Sequence, residues 1–207
     1  MNTALKTHEI HTSNRPVLYL SLFHKEQHEG NAMPHELEKM FNAPAEDIMD
    51  AILKGFRAQV DVKGKLAELY LYRYLKEMEN RKEIRDLVWE DKDGEPDFIV
   101  NYKNKNFKLE CKNLRNEIYK KPREAYKVEI QKTRNSKDGT NTRSYRVDYF
   151  DVLAVCMFNQ TGEWRFSFIK SSDLEVVPDD PNLLKIMQRV PMKIKAPWKK
   201  DLLDAIF

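Results

Sequence analysis

Two cysteines, Cys111 and Cys156, are all that the chain carries. That is too few for a disulfide framework, which excludes the small secreted disulfide scaffolds and favours a reducing, cytoplasmic setting. No apolar run reaches the roughly 18 residues that a membrane-crossing helix needs, so no membrane partner is expected. The opening MNTALKTHEIHTSN lacks the apolar stretch of a signal peptide. No glycine-rich phosphate loop and no nucleophile–histidine pair can be found, which argues against a small-molecule enzyme of either kind. Charge of one sign is also lacking: 36 Lys+Arg stand against 33 Asp+Glu, a net of +3. What is present is a chain of 207 residues, 41% apolar and 11% aromatic, enough to build a core and too apolar for a disordered segment.

The near balance of charge hides an uneven distribution. Residues 103 to 134 hold eleven Lys+Arg and four Glu, and residues 189 to 200 hold five basic residues and no acid. The remainder of the chain is acidic. A basic face for a polyanion on an acidic body is the reading this split favours, against the plainer one of solvated lysine runs. Tyr119, Tyr126 and Trp198 are interleaved with the basic residues, which shifts the choice toward nucleic acid.

Residues 45–59 place Ile48, Ala51, Ile52 and Phe56 on one side of an amphipathic helix, with acids early and Lys54 and Arg57 late. Residues 64–79 predict a second helix buried on most of its circumference, because only Glu68 and Arg73 are polar between Leu66 and Leu75. The period then changes to two. Segments 87–90, 97–102 and 107–112 predict three short strands joined by turns at Asp93-Gly94 and Lys103–Asn106. A helix is expected from Pro122 to about Arg134, although the alternation of Tyr126, Val128 and Ile130 also suits a strand. Residues 135–146 read as a polar loop, 149–158 as a buried strand and 163–169 as its neighbour. The tail predicts one helix after Pro181 and another near Trp198–Ile206. All five histidines lie in the first 43 residues, and His24 and His28 have the i, i+4 spacing of a metal pair without further ligands nearby.

Three polar residues run against the grain of this core. Alternation on the strand around Glu110 turns Phe107, Leu109 and Cys111 one way and Lys108, Glu110 and Lys112 the other. A hairpin turning within Lys103–Asn106 sets Asp97 across from Glu110 to Lys112, so two carboxylates and an ammonium converge. Like charges so close repel unless a cation separates them, and a pair of carboxylate ligands suits Mg²⁺. Glu68 is the third: an acid in an apolar helix needs a metal, a base or a wet cleft. The plain alternative makes Asp97 a turn residue and Glu110 and Lys112 the solvent face of an edge strand.

Pro96-Asp97, then Glu110-Cys111-Lys112 on the next strand, with Gly64-Lys-Leu-Ala-Glu68 on the helix ahead, resembles the PD-(D/E)xK nuclease superfamily. The resemblance covers roughly residues 63 to 156. It implies an α/β fold of the restriction-endonuclease-like kind: an αβββαβ core with a mixed central sheet flanked by helices, plus N- and C-terminal extensions. Residues 1–207 would form a single nuclease domain, with an N-terminal extension over 1–62, a catalytic core over 63–170 and a C-terminal extension over 171–207. It further implies Mg²⁺-dependent hydrolysis of phosphodiester bonds, with Mn²⁺ as a substitute. Asp97, Glu110 and the carbonyl of Cys111 would hold the metal, Lys112 would position the attacking water, and Glu68 would hold a second metal or orient a water. Gln131, Lys132 and Arg134 resemble phosphate-contacting positions after the E-x-K strand, with an ordinary exposed helix end as the equal alternative. Lys137, Arg143, Tyr145 and Arg146 are candidate DNA contacts from the loop.

Within that superfamily, a stand-alone chain of this size is most like a type II restriction endonuclease. Such an enzyme acts on double-stranded DNA as a homodimer, with a cognate DNA methyltransferase working separately on the same site. The rivals are a structure-selective (Holliday junction), homing or repair nuclease of the same fold, and a nucleic-acid-binding module without chemistry.

Overall fold

The structure, a computed structural model, describes residues 34–90, 92, 94–132 and 143–207. The chain divides into two units, residues 1–45 and 46–207. In the first, helix α1 (Glu36–Phe41) starts at His35, whose Nδ1 accepts the Leu37 N–H at 3.2 Å while Glu38 accepts the His35 N–H at 2.6 Å. His35 is therefore a helix cap. The other four histidines, and with them the His24–His28 pair, lie outside the described residues.

Helix α2 (Ala45–Lys54) leads into the second unit and carries the predicted apolar stripe, yet buries no residue. A Cβ on Gly55 would come within 3.2 Å of the Ala51 carbonyl oxygen, so glycine suits the break before helix α3 (Phe56–Asn80). Helix α3 is longer than the pattern predicted. Its burial is one-sided, on Ala67, Leu71, Leu75 and Met78, with Leu66, Leu69 and the three tyrosines half-buried around that stripe. The expected burial of most of its circumference is thus reduced to one face and its flanks.

The predicted strands form as β1 (Arg85–Trp89), β2 (Phe98–Tyr102) and β3 (Lys105–Tyr119). Strand β3 runs seven residues past its predicted end. Its first half pairs antiparallel with β2 and parallel with β5 (Val152–Cys156); its second half pairs antiparallel with β4 (Ala125–Glu129). Strand β6 (Phe166–Lys170) extends the sheet beyond β5, and β9 (Met187–Val190) extends it beyond β4. Among the described residues only the β3–β5 ladder is parallel. All five residues of β5 are buried, as a strand covered on both faces requires. Val152, Ala154 and Cys156 pack with α3 and helix α5 (Leu202–Ile206), while Leu153 and Val155 join the opposite core with Leu114, Val128, Phe150 and Trp198.

Two expectations are overturned here. The helix expected from Pro122 to about Arg134 is absent over the described residues 122–132: Val128 and Ile130 are fully buried, and β4 is held between β3 and β9 by their ladders. The period-two alternation outweighed the helix-start signal at Pro122. The segment after Pro181 is likewise extended, as β8 (Asp180–Leu184) paired to β7 (Val176–Val177), and then β9. Gln160 lies in a one-turn helix, α4 (Phe158–Thr161), closed by Gly162 at φ 73°. The αβββαβ order is therefore not reproduced among the described residues, where β4 stands in place of the second helix, the fifth element. The architecture is mixed α/β, with a mostly antiparallel central sheet flanked by helices.

Candidate active site

The β2–β3 hairpin pairs Phe98 with Leu109, which carries Asp97 to the level of Glu110. Asp97 is clamped on both sides. Its carbonyl accepts the Glu90 N–H at 2.9 Å, and its Oδ2 accepts the Cys111 N–H at 2.7 Å. Glu110 is 2% exposed: it lies beside buried Leu153 of β5 in the ladder and under the buried Tyr145. Its Oε1 accepts both the Tyr145 hydroxyl, at 2.6 Å, and the Lys112 ammonium. Its Oε2 is buried and has no hydrogen-bond partner.

The electrostatics follow from this crowding. Burial, and then the Glu110 carboxylate, push the Asp97 carboxyl up to about 7. Burial works against the Lys112 charge, but Glu110, Tyr145 and Asp97 more than offset it and hold the ammonium above the usual lysine range. Burial also pushes the Tyr145 phenol up, which keeps it a neutral donor to Glu110. The Cys111 thiol is raised well above its ordinary value by burial and points into the core; only its backbone belongs to the site.

A buried carboxylate oxygen without a partner, on a group whose charge bears on a second carboxylate, is the environment that a hard cation relieves. Glu110 and Asp97, with the carbonyl of Cys111, fit Mg²⁺, which takes one or two carboxylates and keeps several waters. Among the described residues no set of three His, Cys, Asp or Glu side chains gathers for a metal. Glu68 does not join the pair as a third ligand. Its carboxylate receives Lys65 at 2.9 Å and the Trp89 indole N–H at 3.3 Å, although its charge is still felt at Asp97. That indole stacks between Tyr72 and Phe98, which fixes Glu68 beside β1.

The expected DNA contacts are placed unevenly. Gln131, two residues past the end of β4, donates to Glu129. Lys132 and Arg143 are tied together, the Lys132 N–H to the Arg143 carbonyl at 2.9 Å and the Arg143 Nε to the Lys132 carbonyl at 2.7 Å. Arg146 is exposed and pairs with Asp148 at 3.1 Å. Arg134 and Lys137 lie outside the described residues. Tyr145 is 5% exposed, so its hydroxyl serves Glu110 and not a DNA groove. Its ring stacks on Tyr149 at 4.7 Å and meets Phe150 edge-on. Sequence reading had placed Tyr145 in a polar loop. The Tyr145-x-x-x-Tyr149-Phe150 spacing was the one signal that its ring belonged to a packed cluster.

The site is an acid pair beside a lysine: half-buried Asp97 just ahead of β2, and buried Glu110 with Lys112 on the central strand of a mixed sheet. In comparison with known families, residues 63–147 match the family model for NERD, the nuclease-related domain. The matched segment contains Glu68, Asp97, Glu110, Lys112 and Tyr145. No curated protein and no solved structure matches the chain.

Proposed function

We propose that this chain is a Mg²⁺-dependent endodeoxyribonuclease that hydrolyses phosphodiester bonds at Asp97, Glu110 and Lys112. The observation that carries the reading is the buried, partnerless Oε2 of Glu110, on a carboxylate whose charge bears on Asp97 and whose other oxygen binds the Lys112 ammonium. A binding module has no use for two clustered carboxylates, one buried and one half-buried, where phosphate arrives, since they repel it. The nuclease-related match over residues 63–147 supports the same chemistry.

Asp97, Glu110 and the Cys111 carbonyl would hold the ion, which supplies Lewis-acid charge stabilisation when bound. Tyr145 and Lys112 occupy one oxygen of Glu110 and leave the other for the ligand. Lys112 has its charge fixed by its surroundings, so it acts as a cation toward the scissile phosphate and as a donor orienting the attacking water. Asp97 is held in place by the Cys111 N–H, so its free oxygen keeps its direction as substrate enters.

The working form of the proposal is site-specific cutting of double-stranded DNA by a type II restriction-like homodimer in the cytoplasm, with Mn²⁺ able to replace Mg²⁺ and a separate methyltransferase protecting the site. Incubation with long unmodified DNA and Mg²⁺, with EDTA and Lys112→Ala as controls, tests it. Discrete bands are expected. Attack on branched DNA alone would assign the structure-selective rival, and the absence of any metal-dependent cutting would overturn the hydrolytic reading.

A further inference from the structure

The two basic stretches of the sequence are some sixty residues apart, and the sheet brings them side by side. Lys127 of β4 and Arg189 of β9 are direct partners in the antiparallel ladder. Their neighbours Val128 and Val190 are fully buried, so alternation turns Lys127 and Arg189 to the opposite, outward face. Both cations lie over one ring: Lys127 Nζ is 4.9 Å and Arg189 Cζ 4.2 Å from the centre of Tyr119, at the end of β3. Arg189 is held there by the carbonyls of Lys121 and Arg123.

Like charges directly opposite each other in a ladder destabilise it, and the tyrosine face only partly compensates. Nearby acids do not settle the balance. Glu117, whose charge Lys127 reaches, and Glu129 both converge on Arg115, and Glu175 is bound to Lys185 at 2.8 Å. Among the described residues Lys120, Lys121, Arg123, Lys127 and Arg189 form no ion pair, and Glu124 is the one acid among them in the 119–127 segment. Two cations paired across an outward sheet face, with three exposed ones on the adjoining loop and no carboxylate partners among the described residues, make a site for a polyanion.

We propose that the Tyr119–Lys127–Arg189 face binds the phosphate backbone of a nucleic acid that extends past the hydrolytic centre. This rests on the nuclease reading for its choice of polyanion, because the same strand, β3, carries Glu110 and Lys112 at one end and Tyr119 at the other. Lys112 and Tyr119 are seven residues apart, roughly 20 Å at about 3.3 Å per residue. That span corresponds to about six base pairs of duplex. Val128 pairs with Leu114, which shares its side of β3 with Glu110 and Lys112, so the face lies on the other side of the sheet and would hold backbone that passes round the β9 edge.

Binding of a labelled duplex of about 30 base pairs, measured in EDTA across a salt series, tests the face without any cleavage. For Lys121→Gln/Lys127→Gln/Arg189→Gln the affinity at moderate salt should fall about tenfold or more. The slope of log K against log salt should shrink by about 2.7, three phosphate contacts at about 0.9 each. Lys120→Gln/Lys121→Gln/Arg123→Gln, which alters only exposed side chains, should also shrink the slope and guards against misfolding of the first variant. In a Mg²⁺ cleavage assay both variants should cut a duplex of about ten base pairs as the wild type does and lose the advantage of longer ones. Unchanged affinity and slope in both variants, with cutting intact, would overturn the face and leave the hydrolytic reading standing. A lost slope in a protein that cuts nothing would uphold the face and overturn the hydrolytic reading. Loss of binding to phosphatidylserine vesicles with DNA binding unaffected would assign the face to membranes and overturn the proposal.

Discussion

The two halves of strand β3 are built from similar residues and do opposite things with charge. Between Leu109 and Asn113 the strand is flanked by β2 and β5, and Glu110 is sealed from water with one oxygen unmatched. Beyond Leu114 the strand pairs with β4, and the charges around it face outward: Arg115 between two acids, Tyr119 under two cations. In the first half burial magnifies each charge and makes the arrangement reactive. In the second, solvent screens the charges, and they matter by number and placement. A charge pattern that looks continuous in sequence is thus divided by burial into a site for a cation and a surface for an anion.

The sharpest break of this comparison comes in the first half. Lys112→Ala should lower Mg²⁺-dependent DNA cleavage by about 10²–10³-fold, the scale of removing one charge-stabilising donor, while leaving the fold intact by circular dichroism. Leu153→Ala attacks the same half from beneath: Leu153 is the ladder partner of Glu110 and fully buried. Urea unfolding should show a loss of about 3 kcal/mol, and cleavage should fall only with the folded fraction. Tyr145→Phe removes one donor from the buried carboxylate, at about 1–2 kcal/mol of stability. It should weaken Mg²⁺ binding, read by calorimetry, because Glu110 is then free to turn.

Asp97 sharpens the comparison through pH. Its carboxyl is held up to about 7, against 3.8 for an ordinary aspartate, so the native state holds that proton more tightly than the unfolded chain. Its protonated form supports the fold fully below about 4, and that support is lost as pH rises through about 7. EDTA-treated wild type should therefore lose melting temperature relative to Asp97→Asn across that window, and saturating Mg²⁺ should narrow the gap. The smallest effect belongs to the second half of β3. Lys127→Gln relieves a like-charge ladder pair and should change stability by no more than about 0.5 kcal/mol by urea titration.

Period-two alternation made β1, β2 and the first half of β3 legible, and the hairpin turn fixed their register, so Asp97, Glu110 and Lys112 could be placed together from residues alone. What the pattern could not carry was pairing at a distance. Strand β4 is extended because β3 and β9 lie on either side of it, and a local helix signal at Pro122 contains no trace of either. Tyr145 was misplaced for the same reason: its partner, Glu110, is thirty-five residues away, and the neighbouring sequence is polar. Glu68 was rightly singled out as needing a partner, but Lys65 lies one turn away and Trp89 reaches it only through the packing of β1 on α3. Helix α2 shows the opposite failure. Its apolar stripe is clear in sequence, yet Phe56, just beyond it, is 80% exposed, because periodicity shows that a face is apolar without showing what covers it.

The central claim is that the unmatched oxygen of Glu110, with Asp97 close enough to feel its charge, exists to hold a divalent cation. Titration of metal-free protein with Mn²⁺, followed by the loss of its free electron paramagnetic resonance signal, addresses it most directly. The account predicts saturable binding in wild type, retained in Lys112→Ala and abolished in Glu110→Gln. Equal binding in wild type and Glu110→Gln, or none in either, would contradict it.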